Sequence, residues 1–343
     1  MKKVVVIGGG FAGAYLARNL GRKFDVLLID SKDYFEFTPS ILRAIAEKNF
    51  SRKIRIRHKE YLRGVKVRIG EVREVGKDYI IVGKNRIRFD YLAICSGSSY
   101  SFPIKESNLI MADRGKHLEE IHKEVEKAKT MLVIGGGPAG VELAAEIVSH
   151  YDKKVTLVHS GERILDRAME ESSSYASSFL EKRGVETILS ERIIGKKGRN
   201  YFTEKGRKIE SDIAFLCIGA KANSSFMEKQ FYSHLNKKGQ IKVTPFLNLE
   251  GFDHIFAAGD VNSTCVEKTA QNAERQAKIV LQNINALEKG MEMREYSMIR
   301  TPMLISLGKW DGILEGNRFF LKGIIPAFLK SLVEKIEMWK LRI

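Results

Sequence analysis

Two hexapeptides in this chain have the residue types and the spacing to hold a dinucleotide. Gly8-Gly9-Gly10-Phe11-Ala12-Gly13 and Gly135-Gly136-Gly137-Pro138-Ala139-Gly140 both read G-x-G-x-x-G. In such a run the first glycine allows a tight turn and the second lets a pyrophosphate approach the backbone. The third (Gly13, Gly140) lets a helix pack closely on a strand. The helix that follows offers unpaired N–H groups and the positive end of its dipole to the phosphates. Asp30 ends the strand after the first run and can accept from ribose hydroxyls. At the matching place the second run has His159, then Ser160, Gly161, Glu162 and Arg163. An acid there would hold the adenosine 2′-hydroxyl and repel a 2′-phosphate, whereas His159 and Arg163 can tolerate or bind that phosphate. NADPH is therefore expected to serve at least comparably with NADH. Arg163 fits a solvated surface charge equally well.

Each glycine run needs a strand before it and a helix and strand after it. Val4–Gly8 is a β-branched run that reads as a buried parallel strand, followed by a helix over Ala14–Leu20 and a strand over Phe24–Ile29. The second set is a strand at Met131–Ile134, a helix over Val141–Val148 and a strand at Lys154–Val158. Further buried strands are expected at Asp90–Gly97, Ile213–Ile218 and Phe252–Ala258. Helices are expected at Lys116–Lys127 and Lys268–Leu287, and a strand-rich segment from Ile54 to Arg88. Polar residues 98–107, with Pro103, suggest a boundary. Two dinucleotide units in one chain imply two nucleotides and electron transfer between them.

The chain's 343 residues leave room for two cores, and 44% hydrophobic with 29% charged residues is globular composition. Cys95, Cys217 and Cys265 are far apart and form no C-x-x-C pair, which argues against a disulfide scaffold, a zinc site or a local redox dithiol. A reducing, cytoplasmic setting fits. No apolar run reaches the roughly 18 residues of a spanning helix. The net charge of +16 is concentrated partly in Arg52–Arg73, which reads as a pair of strands with a solvated basic face. No nucleic-acid-binding signature accompanies it, so nucleic acid is not an expected partner.

Taken together these residues resemble the two-dinucleotide-binding-domain flavoproteins of the glutathione-reductase class, across essentially the whole chain. The resemblance implies an α/β chain of two Rossmann-like domains with a small C-terminal α/β extension. It places an FAD-binding domain at 1–105 and 236–290, an NAD(P)H-binding domain at 106–235, and the extension at 291–343. It further implies that Gly259-Asp260 binds the ribityl and pyrophosphate region of FAD. Ser96-Gly97, after Cys95, and Gly219, after Cys217-Ile218, look like the small-residue turns that close each domain.

Within the class, Phe37-Thr38-Pro39-Ser40-Ile41-Leu42 resembles a loop of the type II NADH:quinone dehydrogenases. Gly140-Val141-Glu142-Leu143-Ala144-Ala145-Glu146, with His159-Ser160, is similar to the apoptosis-inducing-factor-like group that includes the ferroptosis suppressor. Ser306-Leu307-Gly308-x-x-Asp311-Gly312 and Trp339-Lys340 resemble the same group. Ala270-Gln271-x-Ala273-x-x-Gln276 is similar to the quinone-site helix of the dehydrogenases, although Arg275 departs from it.

The activity implied is hydride transfer from NADH or NADPH to flavin, then electron release to a quinone or another small acceptor. Glu142, Lys268 and Gln271 are the implied catalytic residues: Glu142 by the nicotinamide, Lys268 with its helix terminus by the flavin carbonyl, Gln271 at the quinone. Two alternatives are a sulfide:quinone oxidoreductase, for which Cys265 is the one placed cysteine, and a soluble ferredoxin-type reductase docking on Arg52–Arg73. A flavoprotein that signals with slow turnover is a non-enzymatic alternative. Finally, Phe319–Ile343 reads as an apolar cluster and a helix opened by Pro326. Phe328, Leu329, Leu332, Val333, Ile336, Trp339 and Ile343 recur at helical spacing among Lys330, Lys335, Lys340 and Arg342. Two readings stand: a peripheral contact with the inner face of a membrane, or packing on the protein's own body or in a homodimer.

Overall fold

A computed structural model describes residues 1–100, 109–111, 118–264, 267–299 and 301–342. The expected break at Pro103, Cys265 and the terminal Ile343 lie outside the described residues.

The first glycine run links β1 (Lys3–Ile7) to α1 (Phe11–Leu20), and β2 (Asp25–Asp30) follows. After β2 come α2 (Ile41–Ala46), β3 (Lys66–Ile69) and β4 (Tyr91–Ile94). β5 (Leu109–Met111) and α3 (Leu118–Lys127) lead to the second run, which links β6 (Thr130–Ile134) to α4 (Pro138–His150). β7 (Lys154–Val158), β8 (Glu186–Ile188) and β9 (Ile213–Leu216) complete that unit. The chain then returns through β10 (Asn248–Leu249), β11 (Phe252–Ala257) and α5 (Ala270–Glu288). It closes with β12 (Met303–Ser306), β13 (Gly312–Glu315), β14 (Phe320–Lys322) and α6 (Ile324–Arg342).

Two sheets carry the architecture. One has the order β10-β11-β4-β1-β2-β3, parallel except for β10 against β11. The other has the order β5-β9-β6-β7-β8 and is parallel throughout. In each, the strand before the glycine run is central. β1 lies between β2 and β4, and β6 lies between β7 and β9. The carboxyl ends of β1 and β6 are thus the points where strand order reverses, the place where an open parallel sheet leaves a crevice for a ligand. Both central strands are apolar on both faces: Val4, Val5 and Val6, like Leu132 and Val133, are fully buried. The strands of one sheet thus come from within residues 3–94 and 248–257, and those of the other from 109–111 and from within 130–216.

The basic segment differs from expectation. Instead of a strand pair, Arg52–Arg73 holds a helical turn at Phe50–Lys53, short strands at Arg55–Arg57 and Lys66–Ile69, and a helical turn at His58–Tyr61. The turn at His58–Tyr61 carries His58 and Tyr61 inward, where both are buried. Alternating charge gave the expectation of a ladder, and burial of these two rings overrode it. β12, β13 and β14 form a small antiparallel sheet against which α6 packs. Pro326 sits in the first turn of α6, two residues after its start. No helix among the described residues is long and apolar enough to cross a membrane.

Candidate functional site

The two glycine turns repeat each other almost bond for bond. Gly8 has φ +93° and Gly135 φ +114°, a region that side chains rarely enter. Gly8 N–H donates to the Ile29 carbonyl at 2.7 Å, and Gly135 N–H to that of Val158 at 2.8 Å. A Cβ on Gly13 would lie 1.8 Å from the Gly8 carbonyl oxygen, and one on Gly140 1.7 Å from that of Gly135. Only glycine therefore permits the helix to sit against the turn. By contrast, a Cβ on Gly10 or Gly137 would meet nothing within 4 Å. Each turn thus presents an open face beside a helix N-terminus, the cradle that a pyrophosphate needs.

The cysteines share this symmetry. Cys95 lies under Gly13 and Cys217 under Gly140, their Cβ atoms 3.3 and 3.4 Å from a Cβ built on the glycine. Both thiols are free and buried, and burial pushes each up to about 12. Neither can supply a thiolate at neutral pH.

Around the first turn the expected residues converge. Gly9 N–H donates to Asp30 at 3.0 Å. Gly259, at φ +85°, abuts Ala12 and Ala273, and the Ser98 hydroxyl donates to Asp260 at 3.0 Å. Phe11 packs edge-on against Phe35 and Phe37. Two contributors were not foreseen. His58 Nε2 lies 3.0 Å from Asp30, and the Tyr61 hydroxyl lies 2.8 Å from His58 Nδ1. Tyr61 stays a neutral phenol because burial pushes it far up, and the His58 ring bridges its hydroxyl to the Asp30 carboxylate, to which a ring N–H at Nε2 can donate. Gln276 is the other. Its Oε1 accepts from Gly259 N–H at 2.7 Å and Asn262 at 2.8 Å, and its Nε2 donates to Thr264 at 2.9 Å. The sequence signal was available, because Gln276 belongs to the helix motif noted above. Its role is to brace the Gly259 turn from within.

Gln271, in the same motif, is exposed on the first turn of α5, and Thr269 caps that helix by accepting from Asn272 N–H at 3.2 Å. Lys268 Nζ donates to the Asn262 carbonyl at 2.7 Å. The helix terminus and the ammonium therefore stand at the same loop as Gly259-Asp260.

Around the second turn, His159 lies against Gly136 and Gly161. Its Nε2 is 4.0 Å from Asp166, and burial pushes the imidazole below its usual range, with Asp166 opposing. The ring is neutral at neutral pH. Arg163 turns back to donate to the carbonyls of Asp166, at 3.2 Å, and Ala168, at 2.9 Å. It thus braces its own loop. Gly219, at φ +68°, follows Ile218, which crowds Gly135.

Asn223 ties the two clusters together. Its N–H donates to the Gly97 carbonyl and its Nδ2 to the Ser96 carbonyl, both at 3.0 Å, while the Ser96 hydroxyl donates back to the Asn223 carbonyl at 2.6 Å. The short strands Ser98–Tyr100 and Ala220–Ala222 pair beside it.

Glu142 joins neither turn directly. It projects from the first turns of α4 into a cleft shared with Pro39, Ser40, Arg43, Ser306 and Lys330. There it accepts from Ser306 N–H at 2.8 Å and from Lys330 Nζ at 2.5 Å. Lys330 belongs to α6, whose Glu334 also bonds Ser40. Lys330 therefore faces inward, contrary to its expected place among the cations around the helix, because the Glu142 carboxylate captures it. Among the described residues no cluster suited to a metal ion occurs.

Comparison with known proteins accords with this geometry. The family model described as pyridine nucleotide-disulphide oxidoreductase matches residues 2–277. Ferroptosis suppressor protein 1 of Taeniopygia guttata is 32% identical over 96% of this chain and 92% of its own length. Apoptosis-inducing factor homolog B of Dictyostelium discoideum is 30% identical over 92% of this chain and 89% of its own. In fold, the chain is similar to NDH2 of Plasmodium falciparum, solved with NADH (TM-score 0.88, 16% identity, 99% and 96% covered). It is also similar to the sulfide:quinone oxidoreductase of Aquifex aeolicus (TM-score 0.86, 19% identity, 100% and 92% covered). With two glycine cradles in one chain and a family match over most of its length, the protein belongs to the pyridine nucleotide-disulphide oxidoreductase family and is a flavoenzyme of FAD and NAD(P)H.

Proposed function

We propose that this enzyme oxidises NAD(P)H and delivers the electrons, through FAD, to a quinone at a membrane surface. The duplicated cradle is the observation that carries the first half: two open faces for a pyrophosphate, one with a part-buried acid at the tip of the next strand and one without. On this reading 1–105 with 236–290 forms the FAD domain and 106–235 the NAD(P)H domain, with 291–343 as the extension. FAD would be held by Gly8, Gly10, Phe11, Ala12, Gly13, Asp30, Ser96, Gly97, Gly259 and Asp260. NAD(P)H would be held by Gly135, Gly137, Pro138, Ala139, Gly140, His159 and Gly219, with Arg163 shaping the loop.

When bound, FAD supplies two-electron acceptance and release. The chain's own groups do the positioning. Lys268 and the α5 terminus place positive potential beside Gly259-Asp260, a helix end contributing roughly 0.3–1 kcal/mol where exposed. Gln271 is exposed next to them for an acceptor's oxygen. Glu142, held by Ser306 N–H and Lys330, is the carboxylate that would meet the nicotinamide ring. One of the two structures named above is a sulfide:quinone oxidoreductase, which supports a quinone as acceptor.

α6 supports the membrane half. Its inner face presents Pro326, Lys330, Glu334 and Met338 to the body, while Ile325, Phe328, Leu332, Ile336 and Trp339 form an exposed stripe. Lys335 and Arg342 flank this stripe in solvent. An apolar stripe with cations at its border suits an anionic lipid surface.

Anaerobic stopped-flow tests the reaction: NADH or NADPH should bleach the flavin, and a short-chain quinone should restore its colour. Restoration by ferredoxin but not by quinone would contradict the assignment. For the membrane, Phe328→Ser with Trp339→Ser should abolish binding to anionic liposomes and leave bleaching unchanged, whereas a soluble dimer that ignores liposomes would favour the homodimer.

A further inference from the structure

Glu142 has a second carboxyl beside it. One turn along α4 stands Glu146, 2% exposed, and one turn beyond it His150. Positions 142, 146 and 150 share a helix face, so the three run in file from the cleft towards the surface. The Ser306 hydroxyl stands 3.0 Å from the Gly308 carbonyl, which can only accept, and 3.2 Å from Glu146 Oε1, and Ser306 N–H donates to Glu142 Oε1 at 2.8 Å. Glu146 Oε2 has no hydrogen-bond partner. His150 Nδ1–H donates to the Glu146 backbone carbonyl at 2.8 Å and stands 3.6 Å from Oε2. The His150 side chain retains 21% of its exposure.

A buried carboxylate with one oxygen unsatisfied is costly, and the neutral acid is not. Burial indeed pushes the Glu146 carboxyl above the usual range, although Lys330, Arg43, His150 and the Ser306 hydroxyl all pull it down. The charged groups that share its cleft are Glu142 on α4, Arg43 on α2, Lys309 between β12 and β13, and Lys330 and Glu334 on α6.

The reaction supplies a use for such a group. NAD(P)H gives two electrons and one hydrogen as hydride, while a hydroquinone carries away two hydrogens. Each turnover therefore takes one proton from water, and α6 lies across the cleft through Lys330 and Glu334.

We propose that Glu146 stores this proton, releasing it to the cleft in each turnover and regaining it from solvent through His150. The inference rests on the NAD(P)H:quinone reading above. In the release step the Glu146 O–H bond breaks and leaves its electron pair on the carboxylate. The proton crosses the Ser306 hydroxyl and forms an O–H bond on the reduced acceptor. In the recharge step an imidazolium N–H of His150 breaks, the carboxyl O–H forms again, and the neutral ring takes a proton from water.

The test uses the FAD-loaded full chain. Infrared spectra of the resting protein should show a carboxylic-acid C=O band that shifts in D2O and is missing from Glu146→Gln. With a pH-indicator dye in anaerobic stopped-flow, Glu146→Gln should slow proton uptake during quinone reduction by roughly 100-fold, with bleaching by NAD(P)H unchanged. His150→Ala should slow the same phase, and added imidazole should restore His150→Ala but not Glu146→Gln. Absence of the band from the unsubstituted protein, parental proton uptake by Glu146→Gln, or parental uptake by His150→Ala would overturn the proposal. A flavin that NAD(P)H does not bleach, or that quinone does not reoxidise, contradicts the functional reading instead. The infrared band still decides whether Glu146 holds a proton.

Discussion

The first and second glycine turns are the same object up to the third glycine and different objects beyond it. Their positive-φ glycines, their strand-to-turn hydrogen bonds, their sub-2 Å glycine contacts and even the cysteine beneath each match. At the following strand tip they part. Asp30 is locked by Gly9 N–H and His58, whereas His159 is a neutral ring with an exposed Asp166 nearby. The shared half is dictated by backbone sterics, which any pyrophosphate requires. On the function proposed above, the differing half is where each nucleotide's sugar is told apart, so it is free to diverge.

The largest effect should come from breaking the shared half. Gly13→Ala and Gly140→Ala each force a methyl into a carbonyl, at a cost of about 4 kcal/mol or more. Urea denaturation should show comparable losses for the two. Only Gly13→Ala should also strip the flavin, so a yellow Gly13→Ala protein would undo the comparison.

A smaller effect should come from loosening Asp30. His58→Leu removes the buried ring that bridges Asp30 and the Tyr61 hydroxyl, and the polar groups left unmet cost about 1–3 kcal/mol. Flavin should dissociate faster on dilution, while binding of NAD(P)H to the second turn is unaffected. Equal weakening of both ligands would mean that His58 supports the whole fold and not the sugar site.

The smallest change should follow at the second tip. His159→Glu brings a carboxylate to the place where Asp30 stands in the first unit, and like charge against a 2′-phosphate is strongly unfavourable. The ratio of kcat/KM for NADH over NADPH should rise about tenfold or more, because each factor of ten needs only about 1.4 kcal/mol of differential binding. Because Arg163 is turned back onto two carbonyls through Nη2 and His159 is uncharged, the unsubstituted enzyme should tolerate the 2′-phosphate without gripping it. A strong selectivity for NADH that this substitution leaves unchanged would refute that account.

What could be read in the sequence was the part that local backbone physics controls. Gly8, Gly10 and Gly13 and their counterparts declare themselves by spacing, and Asp30 and Gly259-Asp260 by standing at strand ends. The bounds of Lys154–Val158 matched the structure to the residue, and the helix after Lys268 began two residues later than expected. What could not be read depends on contacts between residues distant in sequence. His58 reaches Asp30 from a basic stretch that looked like a solvated ladder. Lys330 reaches Glu142 from the other end of the chain, and Arg163 folds back on its own loop. Charge and spacing alone are silent on which way a long side chain turns, since that is decided by the partner it finds.

The division of labour between the two turns is tested most directly by a pair of equivalent substitutions on their open faces. Gly10→Glu and Gly137→Glu add a side chain where the structure has room for a phosphate and little else, so neither should unfold the chain. Flavin absorbance of the purified proteins, followed by anaerobic addition of NADH or NADPH, is the measurement. Gly10→Glu should be colourless, and Gly137→Glu should be fully yellow yet unbleached by either coenzyme. A yellow Gly10→Glu protein that NAD(P)H still bleaches, or a colourless Gly137→Glu protein, would contradict the assignment of FAD to the first turn and NAD(P)H to the second.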